Sequence, residues 1–423
     1  MIFSCKGKRC GSNQNMKKIV AIIILLMFNI GAYADVQNNA QSDDACYVLL
    51  EAETGKFLVE KNSDMVMPIG TLTKLMTQLI VAENIENGKI TLDTLVTASS
   101  NVFGMKGASI WLAAGEQMSV KDLLKASIIG NANDATAALA ENIGGNQQKF
   151  LDLMNTRAAE LNMKNTIFTD CTGLDSGNIS TAIDIGLLSR ELVKHKILTP
   201  FMTTWRDFIR DDTKQSTNAK SEIPKTQAEL LTEPSTNQRA IEFQKSTSRT
   251  EIVNENTLVK SFSGITGLKA GRAGDTFNLV LSAERDSKTY IAVVLNTDKD
   301  ERFSRGKELI NSGFANYTVM NPYFSSEFLK PVKVKKGIET AVEIEPLELQ
   351  SLLVSRGNAD EITTEIFLPE YINAPVKKGQ KIGIVAFYIN DTLLYETPLI
   401  TKNSIEVFTY KKAFFKLLES ILS

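Results

Sequence analysis

Thr71 and Lys74 stand three residues apart in Pro68-Ile69-Gly70-Thr71-Leu72-Thr73-Lys74-Leu75-Met76-Thr77, where a helical pattern opens. On a helix that spacing puts a hydroxyl and an amine on one face, within reach of each other. A hydroxyl at a helix N-terminus with an amine beside it is the layout of a nucleophile activated by lysine. The unpaired N–H groups of the first turn favour negative charge there. Alone, Thr-x-x-Lys is too common to carry weight. The rest of the composition narrows the chemistry. The chain has one histidine, His195, between Lys194 and Lys196. That argues against a multi-histidine metal site and against a Ser-His-Asp triad. A nucleophile here must find another base, and lysine is the candidate.

Two further segments offer polar groups at structural breaks. In Leu123-Leu124-Lys125-Ala126-Ser127-Ile128-Ile129-Gly130-Asn131-Ala132-Asn133-Asp134-Ala135 an apolar helix breaks at Gly130-Asn131 and resumes at Asp134. The break places Asn131 and Asn133 at a helix junction. In Gly264-Ile265-Thr266-Gly267-Leu268-Lys269-Ala270-Gly271-Arg272 a strand ends in a lysine and a glycine turn. Each feature alone is ordinary turn chemistry.

The elements around them are readable. Residues 46–60 form two apolar runs about Thr54-Gly55, a β-hairpin. Helical patterns follow at Leu72–Glu83, Val120–Asn142, Gln147–Leu161 and Thr181–Val193, and a last one spans Arg302–Tyr317. Strands return at Gly267, Phe277–Glu284 and Thr289–Leu295. Strands at both ends with helices between them predict one sheet built from the termini and flanked by helices. Residues 213–250, rich in Thr, Ser, Gln, Lys and Glu, interrupt this scheme and predict a solvated, mobile insertion.

Together and in this order the three sites resemble the signatures of the D-alanyl-D-alanine carboxypeptidases, the low-molecular-mass penicillin-binding proteins: Ser-x-x-Lys, Ser-x-Asn and Lys-Thr-Gly. The opening hairpin, Ala108-Ser109-Ile110-Trp111-Leu112, Thr172-Gly173-Leu174-Asp175, Asn254-Glu255-Asn256 and Asn373-Ala374-Pro375 resemble the family as well. The resemblance implies an α/β penicillin-binding fold, an antiparallel sheet flanked by helices with a helical subdomain, then a small all-β domain and a C-terminal amphipathic helix. It implies acyl transfer on the terminal D-alanine of peptidoglycan stem peptides, with β-lactams as further ligands and no metal or organic cofactor. Thr71, Lys74, Asn131 and Asn133 become the catalytic candidates, and Lys269, Ala270, Gly271 and Arg272 the substrate-binding ones.

This chain departs from the family at three hydroxyl positions. Thr71 stands for the nucleophilic serine, Asn131 for the serine of Ser-x-Asn and Ala270 for the threonine of Lys-Thr-Gly. The methyl of Thr71 stiffens χ1 and crowds the attacking oxygen, yet threonine can be a nucleophile. Asn131 cannot relay a proton, because an amide neither gains nor loses one near neutrality. Ala270 removes a carboxylate contact that Arg272 supplies instead if it points inward. Two functions therefore stay open: a threonine carboxypeptidase, or a pseudo-enzyme that binds peptidoglycan peptides or an envelope partner without turnover.

The ends of the chain predict an address. Lys17-Lys18, the apolar run Ile19–Ile30 and Gly31-Ala32-Tyr33-Ala34 form a signal-peptide pattern, so residues 1–34 are expected to be an upstream extension and leader. Their removal takes away five basic residues and no acid, leaving 42 basic against 49 acidic residues. Such a charge gives a nucleic-acid partner no footprint. Only Cys46 and Cys171 remain of the four cysteines, and spacing does not say whether they meet. Residues 35–321 form the expected carboxypeptidase-like domain and 322–402 the β-domain. In 403–423, Phe414, Leu417, Leu418, Ile421 and Leu422 share one face, a helix suited to a membrane interface. The whole places the protein at the extracytoplasmic face of a cell membrane, with its oligomeric state open.

Overall fold

Strand β1 (Cys46–Glu51) is buried on both faces, and so are β4 (Thr276–Arg285) and β5 (Lys288–Thr297) over most of their length. The computed structural model describes residues 44–210, 249–321, 329–411 and 414. In strands, side chains alternate between faces. Val48, Leu50, Ile291, Val293 and Leu295 therefore enter one apolar cluster, while Leu49, Tyr290, Ala292 and Val294 enter another. The sheet runs β2 (Phe57–Lys61), β1, β5, β4, β3 (Ile265–Ala273), and every neighbouring pair is antiparallel. As the sequence pattern predicts, the N-terminal hairpin joins three late strands in one sheet.

Helix α1 (Lys74–Glu86) lies on one side of this sheet. A helix that is apolar all round belongs inside a core. The run Leu75-Met76-Thr77-Gln78-Leu79-Ile80-Val81-Ala82 is buried on every face, and Lys74 at its start is buried too. The expected break at Gly130-Asn131 is present: α2 (Val120–Ile128) stops, Asn131 adopts φ 55°, and α3 (Asn133–Gly144) starts two residues later. Asparagine is one of the few side chains that tolerates the left-handed region. Helices α4 (Gln147–Glu160) and α5 (Ala182–Leu192) complete this layer, and α6 (Glu301–Asn316) covers the opposite face of the sheet through Leu309 and Ile310.

Beyond α6, residues 332–405 build small sheets, antiparallel except where Val332–Lys335 runs parallel to Tyr371–Asn373, around a separate cluster that includes Val334, Val385, Phe387 and Leu399. The leader, residues 213–248 of the insertion, and the tail helix beyond Lys411 apart from Phe414 lie outside the described residues. The strands flanking the insertion, Arg206–Ile209 and Thr250–Val253, pair antiparallel. Cys46 and Cys171 are both buried, and no disulfide joins them.

Candidate active site

The polypeptide approaches itself closely where Thr71 sits. Gly70 has φ +52°, and a Cβ there would stand 1.9 Å from the Arg272 carbonyl oxygen. Gly173 has φ +84°, and its Cβ would stand 1.9 Å from the Gly70 carbonyl oxygen. Only glycine fits both the dihedral and the space. These two contacts seat the 3-10 turn Gly70–Thr73 between strand β3 and the loop after Cys171. Gly271 continues the pattern: a Cβ would stand 2.8 Å from Thr71 Oγ1. The glycine of the Lys-x-Gly segment thus makes room for the nucleophile's hydroxyl.

Lys74, one turn further, is buried and donates to Asn133 Oδ1 at 2.6 Å and to the Thr172 carbonyl at 2.7 Å. Both acceptors are themselves held. Asn133 Nδ2 donates to the Lys106 carbonyl at 2.7 Å, and its backbone N–H donates to Ala108 O at 2.7 Å. Asp170 accepts from the N–H groups of Thr172 and Gly173 at 2.5 Å and of Asp175 at 2.6 Å, which fixes the Thr172 peptide. Asp134 accepts from Ile110 and Leu112 N–H and ties the 108–112 loop to the start of α3. Burial pushes the Lys74 amine well below the ordinary lysine range, and the positive charge of Lys269 adds to that push. An amine pushed in that direction loses its proton more readily and is better able to accept one from a neighbouring hydroxyl.

Thr71 is half-buried, and its Oγ1 accepts the Arg272 backbone N–H at 3.1 Å. Among the described residues this is the hydroxyl's hydrogen bond; it makes none to Lys74. The Thr71 N–H lies in the first residues of its 3-10 turn, where a backbone donor has no partner within the turn. Lys269 is buried two residues before Gly271, and burial lowers its amine to about 8. The structure therefore gathers Thr71, Lys74, Asn133, Lys269 and Gly271 about one cleft.

Two candidates, Ala270 and Arg272, behave differently from the sequence expectation. Ala270 lies in the apolar cluster with Leu258, Leu279 and Leu281, so its methyl faces the core and offers substrate nothing polar. The Arg272 guanidinium does not take up the expected inward contact. It is 58% exposed, donates to Gly274 O at 2.5 Å and lies 3.4 Å from Asp275. A strand-end arginine follows the turn that it caps. Arg272→Ala should accordingly leave the affinity for a D-Ala-D-Ala peptide within about twofold, measured by calorimetry, since an exposed pair is worth little. Asn131 sits at the junction as expected. Its Nδ2 is 3.4 Å from Glu255 Oε2, and its Oδ1 is buried without a partner.

Glu255 is the site residue that sequence reasoning passes over. It lies within the family-like Asn254-Glu255-Asn256 but in no catalytic signature. Arg302 is the other: buried beneath β3, it donates to the Gly271 and Asn278 carbonyls at 2.7 and 3.1 Å. Away from the cleft, Glu83, Glu191 and His195 bring ligand atoms within 4.8 Å of one another. Arg157 already supplies a cation there, 2.7 Å from Glu83 and 3.5 Å from Glu191.

Comparison with known proteins agrees with this geometry. The D-alanyl-D-alanine carboxypeptidase family pattern matches residues 33–227, and that of the penicillin-binding protein 5 C-terminal domain matches residues 317–407. The D-alanyl-D-alanine carboxypeptidase DacF of Bacillus subtilis is 31% identical over 392 residues, which is 91% of this chain and 92% of the relative. The structure of the D-alanyl-D-alanine carboxypeptidase DacD from Francisella tularensis is similar with a TM-score of 0.65 at 26% identity, covering 86% of this chain and 94% of that one. Penicillin-binding protein D2 from Listeria monocytogenes, solved in an ampicillin-bound form, gives a TM-score of 0.50 at 26% identity over 64% of this chain and 96% of its own. With its sheet, its helical layer and its buried lysine beside a hydroxyl, the chain belongs to the D-alanyl-D-alanine carboxypeptidase family of low-molecular-mass penicillin-binding proteins.

Proposed function

We propose that this chain is a D-alanyl-D-alanine carboxypeptidase that uses a threonine nucleophile on peptidoglycan stem peptides. The observation that carries this reading is Lys74, buried, hydrogen-bonded to Asn133 and Thr172, and driven toward its neutral form one turn from Thr71. Thr71 Oγ1 leaves the Arg272 N–H and attacks the carbonyl between the two D-alanines while Lys74 takes its proton. The carbonyl oxygen, now negative, takes over the Arg272 and Thr71 N–H groups. The C–N bond then breaks, Lys74 returns the proton to the leaving D-alanine amine, and water hydrolyses the acyl-threonine. Lys269 holds the terminal carboxylate. β-Lactams present a strained amide to the same groups, and the similar Listeria protein was solved with ampicillin bound. The leader pattern in residues 1–34 supports work outside the cytoplasm.

The test is D-alanine release from a stem peptide ending in D-Ala-D-Ala, followed against pH. Lys74 must be neutral and Lys269 charged, so kcat/KM should fall at acid pH as Lys74 protonates. It should fall again as pH rises through about 8, where Lys269 loses its proton. Lys269→Arg keeps its charge throughout and should remove the alkaline limb. No release at any pH, from folded protein that binds the peptide, would leave a binding protein instead.

A further inference from the structure

One peptide unit connects Thr71 to the interior of the domain. Its carbonyl belongs to Gly271 and its N–H to Arg272, and that N–H donates to Thr71 Oγ1 at 3.1 Å. The unit is trans, so its carbonyl and its N–H point in opposite directions. The Gly271 carbonyl therefore points away from Thr71, and there it accepts from Arg302 Nη1 at 2.7 Å. Whatever holds the carbonyl also aims the N–H.

Arg302 is itself held firmly. It stands in the first turn of α6, and its side chain is 2% exposed. Nη1 also donates to the Asn278 carbonyl at 3.1 Å, and Nε donates to the Lys299 carbonyl at 3.2 Å. The Phe277 and Phe303 ring centroids lie 5.1 and 4.6 Å from the guanidinium carbon. Glu255 Oε1 is 3.7 Å from Nη2. A guanidinium so enclosed lies beneath the strand and offers no donor to the cleft. Its second carbonyl extends the grip to the nucleophile. Asn278 pairs with Gly271 across β3 and β4, and its buried Nδ2 donates to the Ile69 carbonyl at 3.2 Å, two residues before Thr71. Asn278 Oδ1 accepts from the Asn296 N–H at 2.9 Å, which fixes that amide in turn. One cation thus ties together the Gly271 peptide and, through Asn278, the turn that carries Thr71. A buried cation on a carbonyl also strengthens the donor at the other end of the same peptide.

We propose that Arg302 is a positioning residue for acylation: by gripping the Gly271 carbonyl it holds the Arg272 N–H where the substrate's carbonyl oxygen becomes negative. The proposal rests on the carboxypeptidase reading of the cleft and adds to it a residue that never touches substrate.

The test is single-turnover acylation of the full chain by ampicillin, read as a rate constant at saturation and a half-saturating concentration. Arg302→Lys keeps the charge, but an ammonium lacks the planar fork that spans two carbonyls. It should lower the rate constant by about 10–10²-fold, less than the loss of about 10²–10³-fold that follows outright removal of an oxyanion donor. The half-saturating concentration should stay within about twofold, because the donor is needed in the transition state and not for binding. Arg272→Pro removes the N–H itself, a change that an edge strand tolerates where the N–H points away from its sheet. If Arg302 acts through that N–H, the double variant should be slower than Arg272→Pro by no more than about twofold. Losses that multiply in the double variant, or a full rate in Arg302→Lys with only a lower melting temperature, overturn the proposal. A full rate in Arg272→Pro overturns it too, and leaves the carboxypeptidase reading standing with another oxyanion donor. A native chain that neither acylates nor releases D-alanine overturns both. Should Arg302→Lys fail to fold, Arg302→Gln, which keeps one neutral donor, reads the same cycle.

Discussion

Thr71→Ala should abolish D-alanine release, a loss of about 10⁴-fold or more, the scale seen when a hydrolase loses its nucleophile. Its thermal stability should stay close to that of the native chain, since Thr71 is half-buried and its side chain makes one hydrogen bond, accepted from Arg272. Thr71→Ser should go the other way and raise turnover by about 10–10²-fold. The reason is geometric. The Thr71 hydroxyl rests on the Arg272 N–H, a donor that the transition state needs, so the side chain must rotate before it attacks. A β-branched residue has few χ1 wells, and any rotation of the hydroxyl away from its place beside Gly271 must swing the methyl as well. Serine rotates freely, and a placement error of about 1 Å at a nucleophile can cost about 10²-fold. The measurement is single-turnover acylation by ampicillin alongside D-alanine release. Equal rates for threonine and serine would show that the methyl costs nothing, and release by Thr71→Ala would remove Thr71 from the chemistry.

The parts of the fold that follow from local rules were legible. Alternating apolar runs around Thr54-Gly55 gave a hairpin, and Gly130-Asn131 marked where a long helical pattern breaks, because Asn131 must turn into the left-handed region. The three chemical segments converge because the sheet brings β3 beside β4 and the 3-10 turn packs against β3. Their order along the chain, seen as a family resemblance, anticipated that. Side-chain direction was less legible. The sequence puts Arg272 next to Gly271, and only the turn at Gly274 and Asp275 shows where its guanidinium goes. Ala270 shares the strand with Lys269, and strand alternation sends it to the opposite face. Glu255 escaped notice because its place depends on tertiary contacts to Asn131 and Arg302, more than 40 residues away in either direction.

Lys74→Met should lower D-alanine release by about 10³-fold while leaving a folded protein, and the two results together define the role of this amine. Removing a general base costs about 10²–10⁴ in rate. The structural effect is smaller because two terms oppose each other. Methionine leaves Asn133 Oδ1 and the Thr172 carbonyl without the ammonium or amine they now accept from, and each buried acceptor left unpaired costs roughly 1–3 kcal/mol. Against that, an unbranched apolar chain of similar length suits a position where burial already works against charge. Melting temperature should therefore fall by only a few degrees, on the order expected for about 1–2 kcal/mol in a chain of this size. The acid limb of the pH profile should vanish from whatever activity remains, because the group that titrates there is gone. Lys74→Arg separates base from cation: a guanidinium keeps the positive charge yet cannot be deprotonated, so it should be as inactive as methionine. Activity retained by Lys74→Arg would mean that the site needs a charge at this position and not a base, and the proton of Thr71 would have to leave by another route.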